Sequence, residues 1–354
     1  MHVVIIAAAS HPLREPFAGG LESLTWELVR GLRRRGVDVT LFAGPGSDPD
    51  LGAREVVVQP LVLSEAARGD VSMPPERWLR EHHAYLQVML ELQSRGDIDV
   101  IHNNSLHYLP IALAATSRAP MVTTLHTPPT PWLEPAISLM DQARARFVAV
   151  SARTAGQWAH VAPAQVIHNG VDCERWSPGP GGEDLVWFGR LVPEKAPHEA
   201  VAIAAASGRR VRLAGPISNE AYFADAVRPL LGPRAEYVGH LQGSALRQLV
   251  GSSAASLVTP AWEEPYGLVA AESLACGTPV LAYDRGGLRE FLSPECGVLV
   301  AGGDVQAAAA AVDSVVAKDR SACRDHALQH CSLERMIDAY LGVYDSVAPL
   351  GRAA

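Results

Sequence analysis

Short apolar runs alternate with helix-period segments along this 354-residue chain, stop at one turn-rich cluster, and then begin again. Val3 to Ile6 is VVII, and VDVTLFAG, IDVIHNN (from Ile98), APMVTTLHT (from Ala119) and RFVAVS (from Arg146) follow it. Runs this short and this continuously apolar read as strands buried on both faces, which is what a parallel sheet requires. After the first run, Gly19 to Arg35 carries Leu21, Leu24, Leu28 and Leu32 on one helical face. The rhythm breaks at Pro178, Gly179, Pro180, Gly181 and Gly182, a cluster that can continue neither a strand nor a helix. It restarts with DLVWFGR, a helix over His198 to Ser207, then RRVRLAG, AEYVGH, ASLVTP and PVLAYD. The chain therefore reads as α/β in two halves: residues 1–172, a linker 173–183, residues 184–331, and a capped amphipathic helix in 332–354 that opens on Ser332.

Composition narrows the function. Apolar residues are 48% and charged ones 19%, which is globular rather than disordered. A net charge of -8 excludes bulk nucleic-acid binding, which needs a cationic field, so no nucleic-acid partner is expected. The five cysteines (Cys173, Cys276, Cys296, Cys323, Cys331) form no CxxC pair and read as reduced thiols of a cytoplasmic protein. MHVVIIAAAS has no charged leader and reads as a first strand, not a signal peptide. No run approaches the roughly 18 apolar residues of a membrane span.

Two facing Rossmann-like domains leave a cleft at the carboxyl ends of their strands, where ligands bind. Several features fall there. Gly19 and Gly20 stand between the first strand and first helix, where backbone N–H groups can approach an anion, although the dinucleotide fingerprint GxGxxG is absent. Arg190 and Lys195 follow the first strand of the second half, in FGRLVPEKAP; Lys195 and Lys318 are the only lysines. Two such cations can hold a diphosphate without a metal. In EEPYGLVAAESLACGTPV, Glu264 follows a strand and Glu272 falls about two turns into a helix that Pro265 and Gly267 introduce. On a continuous helix the two acids would stand roughly 12 Å apart along the axis. They suit one long ligand gripped at two points, with the N–H groups of Gly267, Leu268 and Val269 facing an anion between them.

These residues resemble the E-x7-E signature of the family 4 retaining glycosyltransferases, which have the GT-B fold. The resemblance covers the whole chain and includes Gly19–Gly20, TLHT around His126, HNGVD at Asn169 to Asp172, GRLVPEK and GLREF. It implies that Arg190 and Lys195 bind the donor diphosphate and that Glu272 holds the nucleotide ribose. Glu264 would contact donor-sugar hydroxyls, with Gly267 and Leu268 beside it. His126 would line the reaction centre, Gly20 would approach the phosphates on closure, and the last helix would cross back onto the first domain. Ala196 departs from the glycine usual after the lysine, Tyr266 from a common Phe, and His168 from a proline.

The expected activity is transfer of a sugar from a UDP-, GDP- or ADP-linked donor to a hydroxyl acceptor, with no cofactor and no metal. Acceptor choice falls to first-half loops such as Arg14 to Ala18, Gln59 to Arg77 and Thr127 to Pro135. Asp97-Ile98-Asp99 has the spacing of a metal-binding DxD but leads straight into a strand and reads as its cap. His102, His107 and His126 match no helix-borne ligand pair, His82 and His83 read as a surface pair, and Ser105 and Ser151 lack elbow glycines. Arg33, Arg34 and Arg35 complement a helix C-terminus; their functional alternative is a weak peripheral contact with anionic membrane. Rival readings are a nucleotide-sugar 2-epimerase or phosphorylase of the same architecture, or a non-catalytic sugar-nucleotide-binding protein. Oligomeric state stays open.

Overall fold

The computed structural model describes residues 1–57, 62–141 and 145–348. The start of the Gln59–Arg77 loop and the end of the 332–354 segment lie outside the described residues. Two all-parallel sheets carry the fold. The first has β1 (His2–Ile6), β2 (Asp38–Ala43), β3 (Arg54–Glu55), β4 (Val100–Asn103), β5 (Met121–Leu125), β6 (Ala145–Ala149) and β7 (Ala164–Val166) in the order β3-β2-β1-β4-β5-β6-β7. The second has β8 (Leu185–Phe188), β9 (Val211–Ala214), β10 (Ala235–Gly239), β11 (Ala255–Val258), β12 (Val280–Tyr283) and β13 (Gly297–Val300) in the order β10-β9-β8-β11-β12-β13. Val3 to Ile6 have no exposed surface, because helices cover both faces of the sheet. In each sheet the strand order reverses beside the first strand, at β1/β4 and at β8/β11. Such switch points open a crevice at the strands' carboxyl ends.

The segment after Asp172 is docked rather than loose. The amide of Gly179 donates to the Cys276 carbonyl at 3.1 Å and that of Gly181 to Gly251 at 2.9 Å. A Cβ on Gly179 would come within 2.3 Å of the Gly251 backbone, so glycine is required for the approach. Val171 bridges Ser332, and from there the helix Leu333–Val347 packs on the first helix, Gly20–Arg34. Ser332 sits at the N-cap but makes no side-chain capping bond, contrary to the expectation from its residue type. Leu333, Met336, Ile337, Tyr340, Val343 and Tyr344 are part of the core formed around β1. A buried polar chain fastens this helix further. His102 Nδ1 meets the Tyr344 hydroxyl at 2.6 Å, His102 Nε2 meets Thr124 Oγ1 at 2.8 Å, and Thr124 meets the Tyr340 hydroxyl at 3.0 Å. His102 is thereby a satisfied core histidine, and burial pushes its pKa down to about 3.

The arginine cluster at the end of the first helix is also spent on this packing. Arg35 donates to Glu334 and Asp338, Arg34 lies 3.7 Å from Glu334, and Arg33 donates to the Val39 carbonyl. These surface pairs join the first helix to the last one. No helix among the described residues is long and apolar enough to cross a membrane.

Candidate functional site

A cleft of about 530 Å³ opens between the carboxyl edges of the two sheets. His126, Gly19, Gly20, Arg190, Lys195, Glu264, Gly267, Leu268, Val269 and Glu272 all line it. Gly19 is the N-cap of the first helix and has no side chain to cap with. A Cβ on Gly20 would stand 3.0 Å from Leu268 Cδ1, and one on Gly19 would stand 3.7 Å from Arg190 Cδ. The two glycines thus bring the first helix against the start of the helix Leu268–Ala275 and against Arg190. The N-termini of both helices face one space, where their partial positive charge adds.

Gly267 caps the second of these helices at φ 100, a conformation that disfavours any side chain, and a Cβ there would collide with Leu288. No described group accepts from the N–H groups of Gly267, Leu268 or Val269. Because the helix begins at Leu268, Glu264 stands in the preceding loop. The helical projection of the two acids therefore does not apply; only Glu272 is on the helix. Glu264 is 8% exposed and is held at its carbonyl by the Gly287 amide, 2.8 Å away.

Lys195 ends a one-turn 3-10 helix, Pro193–Lys195. Its ammonium bonds Glu264 Oε2 and lies 5.3 Å over the Trp262 ring, while Trp262 Nε1 donates to the same oxygen at 3.2 Å. Lys195 and Glu264, both in the cleft lining, are thus paired with each other. The residue after Lys195, Ala196, has φ 46 and ψ 52, the left-handed region. A methyl group there costs about 1 kcal/mol, and this conformation explains why glycine is the natural choice.

Glu272 lies deeper. Burial, then the nearby carboxylate of Glu27, pushes its pKa up to about 8 against the pull of Arg247. Glu27 is itself pushed up by burial, although Arg175 reaches it at 2.5 Å. Arg175 also holds Glu15 at 2.7 Å, and Arg247 reaches Glu15 at 3.2 Å. His240 Nε2 adds a bond to the Phe17 carbonyl at 3.0 Å. The Arg14–Ala18 loop of the first half is thereby tied to the second half. Sequence reasoning missed Glu15, Glu27, Arg175 and Arg247, because each is an ordinary charged residue until the fold assembles them.

His126 follows β5 and is half-buried, with Nε2 2.9 Å from Asn104 Oδ1. The amide oxygen accepts, so Nε2 carries the proton and Nδ1 is left as an acceptor. Burial lowers its pKa to about 3, which keeps the ring neutral. His82, His83 and His107 lie elsewhere: His107 caps the helix Tyr108–Ala112 and stacks on Tyr85 at 4.7 Å. Asp97 and Asp99 precede β4, at the sheet edge opposite the cleft. Asp97 pairs with Arg95, and Asp99 accepts from the His2 amide at 2.7 Å.

The Glycosyltransferase Family 4 description matches residues 18–175, and that of Glycosyl transferases group 1 matches residues 175–329. The chain belongs to the family 4 glycosyltransferases. It is similar to the glycogen synthase of Mycobacterium tuberculosis, with 31% identity over 270 residues, 66% of this chain. The match spans 65% of that relative's length. The D-inositol 3-phosphate glycosyltransferase of Mycolicibacterium smegmatis is 27% identical over 392 residues, covering 97% of this chain and 90% of its own. Among solved structures, Anabaena Alr3699/HepE in complex with UDP-glucose superposes with TM-score 0.73 at 18% identity, over 98% of this chain and 100% of that one. A glycosyltransferase from Rickettsia africae does so with TM-score 0.76 at 18% identity, over 99% of each chain. These likenesses establish the GT-B fold for this family member.

Proposed function

We propose that the protein transfers a sugar from a nucleoside-diphosphate sugar to an acceptor hydroxyl, with retention of configuration and without a metal. The observation that carries this is the convergence of Arg190, Lys195 and the unpartnered N–H groups of Gly267 to Val269 on one wall of the cleft. That wall suits a diphosphate. Glu272, one turn further in, accepts from the ribose hydroxyls, and Glu264 from the donor sugar. Lys195 exchanges Glu264 for phosphate as the donor enters. The UDP-glucose bound to Anabaena Alr3699/HepE supports a nucleotide sugar in this cleft.

In the reaction the bond from the anomeric carbon to the diphosphate oxygen breaks, and the electron pair leaves with the nucleoside diphosphate. Arg190, Lys195 and the helix N-terminus stabilise the growing charge. The acceptor oxygen attacks from the same face, and its proton passes to the departing phosphate. His126, neutral and oriented by Asn104, holds the reacting sugar by a hydrogen bond to Nδ1. Contact of Gly20 with Leu268 excludes water, which limits donor hydrolysis. The phosphorylase alternative is disfavoured because Lys318 donates to the Pro294 carbonyl on the surface and does not line the cleft.

Thermal stabilisation by UDP, GDP and ADP, with and without magnesium, tests this. A shift with one nucleotide, unchanged by magnesium and lost in Glu272→Ala, is expected. Stabilisation by none of them in folded protein would overturn the donor site.

A further inference from the structure

The charges that line the cleft are segregated by lobe. Among the described lining residues, Arg190, Lys195 and Arg247 belong to the second lobe, whereas Arg175 lies over the Trp26 ring of the first lobe with its charge held by Glu15 and Glu27. The described lining residues that precede Asp172 include no lysine or arginine and several carboxylates. Two of these, Glu22 and Glu81, make no ion pair among the described residues; Glu22 is 6% exposed, in the first turn of its helix. If the donor diphosphate takes the cationic wall, the acceptor meets the anionic one.

Two further features mark that wall as a receptor for hydroxyls and a ring face. Asn169 is 6% exposed and lines the cleft, yet its Oδ1 has no partner, and Thr127 lines it with an unpartnered Oγ1. Buried polar atoms without partners are expensive unless a ligand or water completes them. From Tyr85, the one ring of the series that lines the cleft, an aromatic stack runs outward. His107 lies 4.7 Å from Tyr85, Tyr108 4.9 Å from His107, and Trp132 6.3 Å from Tyr108 at an interplanar angle of 14°. Trp132 is 53% exposed, an unusual position for the largest apolar side chain. Burial lowers the pKa of His107 to about 4, so the stack carries no positive charge at neutral pH. Arg80, on the nearby helix Glu76–Ser94, is engaged by Glu76 at 2.6 Å.

We propose that the acceptor is an uncharged polyhydroxylated ring, which lays its C–H face on the Tyr108–Trp132 shelf and gives hydroxyls to Glu81, Thr127 and Asn169. A phosphorylated acceptor would find the one cation on this wall among the described lining residues, Arg175, already paired with Glu15 and Glu27, and would face Glu22 and Glu81. This inference rests on the donor reading above, and it separates the chain from relatives named for an inositol phosphate acceptor.

The test uses full-length protein saturated with whichever of UDP, GDP or ADP stabilises it, so that phosphate esters cannot occupy the diphosphate wall. Binding is read by saturation-transfer NMR for matched pairs: myo-inositol against D-inositol 3-phosphate, and methyl α-D-glucopyranoside against its 6-phosphate. The uncharged member of a pair should bind at least about tenfold more tightly, as like-charge repulsion in a partly dry cleft requires. Trp132→Ala should abolish the ring-proton signal, and Glu81→Lys should shift the preference toward the phosphate ester. Phosphate esters binding as well as their partners, or neither class binding, would overturn the proposal. The nucleotide shift is measured in the same samples, so failure of the donor site is told apart from failure of this assignment.

Discussion

Replacing Glu272 by glutamine should make the ligand-free protein more stable, and increasingly so as pH rises. In the folded protein this carboxyl titrates near 8 rather than the ordinary 4.5, because burial and the Glu27 carboxylate oppose its charge. The unfolded chain releases that proton near 4.5 and the folded chain holds it. Stability therefore falls as pH rises from about 4.5 through 8, and the loss is complete above 8. At about 1.4 kcal/mol per pH unit the full interval corresponds to roughly 5 kcal/mol, an upper limit. Water in the open cleft screens the charge, and halving the figure gives about 2.5 kcal/mol. For a lobe of this size that is a rise in Tm of roughly 5 °C. Wild type and Glu272→Gln should be compared by thermal denaturation from pH 5 to pH 9, without nucleotide. The curves should nearly meet at pH 5 and separate by about 5 °C above pH 8. A difference that stays constant with pH would refute the assignment of the penalty to this carboxyl.

Lys195→Met leaves Glu264 buried without its cation and should cost about 3 kcal/mol in urea unfolding, whereas adding Glu264→Gln should recover part of that loss; strictly additive costs would show that the pair is not coupled. Tyr344→Phe removes the partner of His102 Nδ1 and should cost about 1–2 kcal/mol. His102 is held neutral down to about 3 while the unfolded chain takes up a proton near 6.5. The wild type therefore loses stability as pH falls below 6.5, and His102→Gln should flatten that acid limb in a pH series of unfolding midpoints.

Sequence pattern located what is local. The apolar runs from Val3, Ile98 and Leu185 are strands because their residues are buried on both faces, and the Pro178–Gly182 cluster is where regular structure stops. Glu264, Gly267 and Glu272 were legible because strand, turn and helix follow within a few residues and each needs its residue type. The short edge strands β3 and β7 were not legible, since two or three residues carry no period and their register comes from the neighbouring strand. Neither was the pairing of Lys195 with Glu264, nor the tie among Glu15, Arg175 and Arg247. Those bonds join residues 69 to 232 positions apart, and a charge announces nothing about a partner that distant. The aromatic stack was half legible: HTPPTPW marks a rigid segment, but the rings that meet Trp132 come from two other helices.

The helix Leu333–Val347 has a consequence for how the molecule is made. It supplies Met336, Ile337 and Tyr340 to the core around β1, and its tyrosines close the polar chain on His102. A ribosome producing this chain releases all six strands of the second sheet before that helix appears. The second lobe can therefore fold on schedule, while the lobe whose synthesis began first waits with an apolar groove open beside Gly20–Arg34. A stop codon just before Leu333 would spare the lobe nearest to it in sequence and damage the distant one.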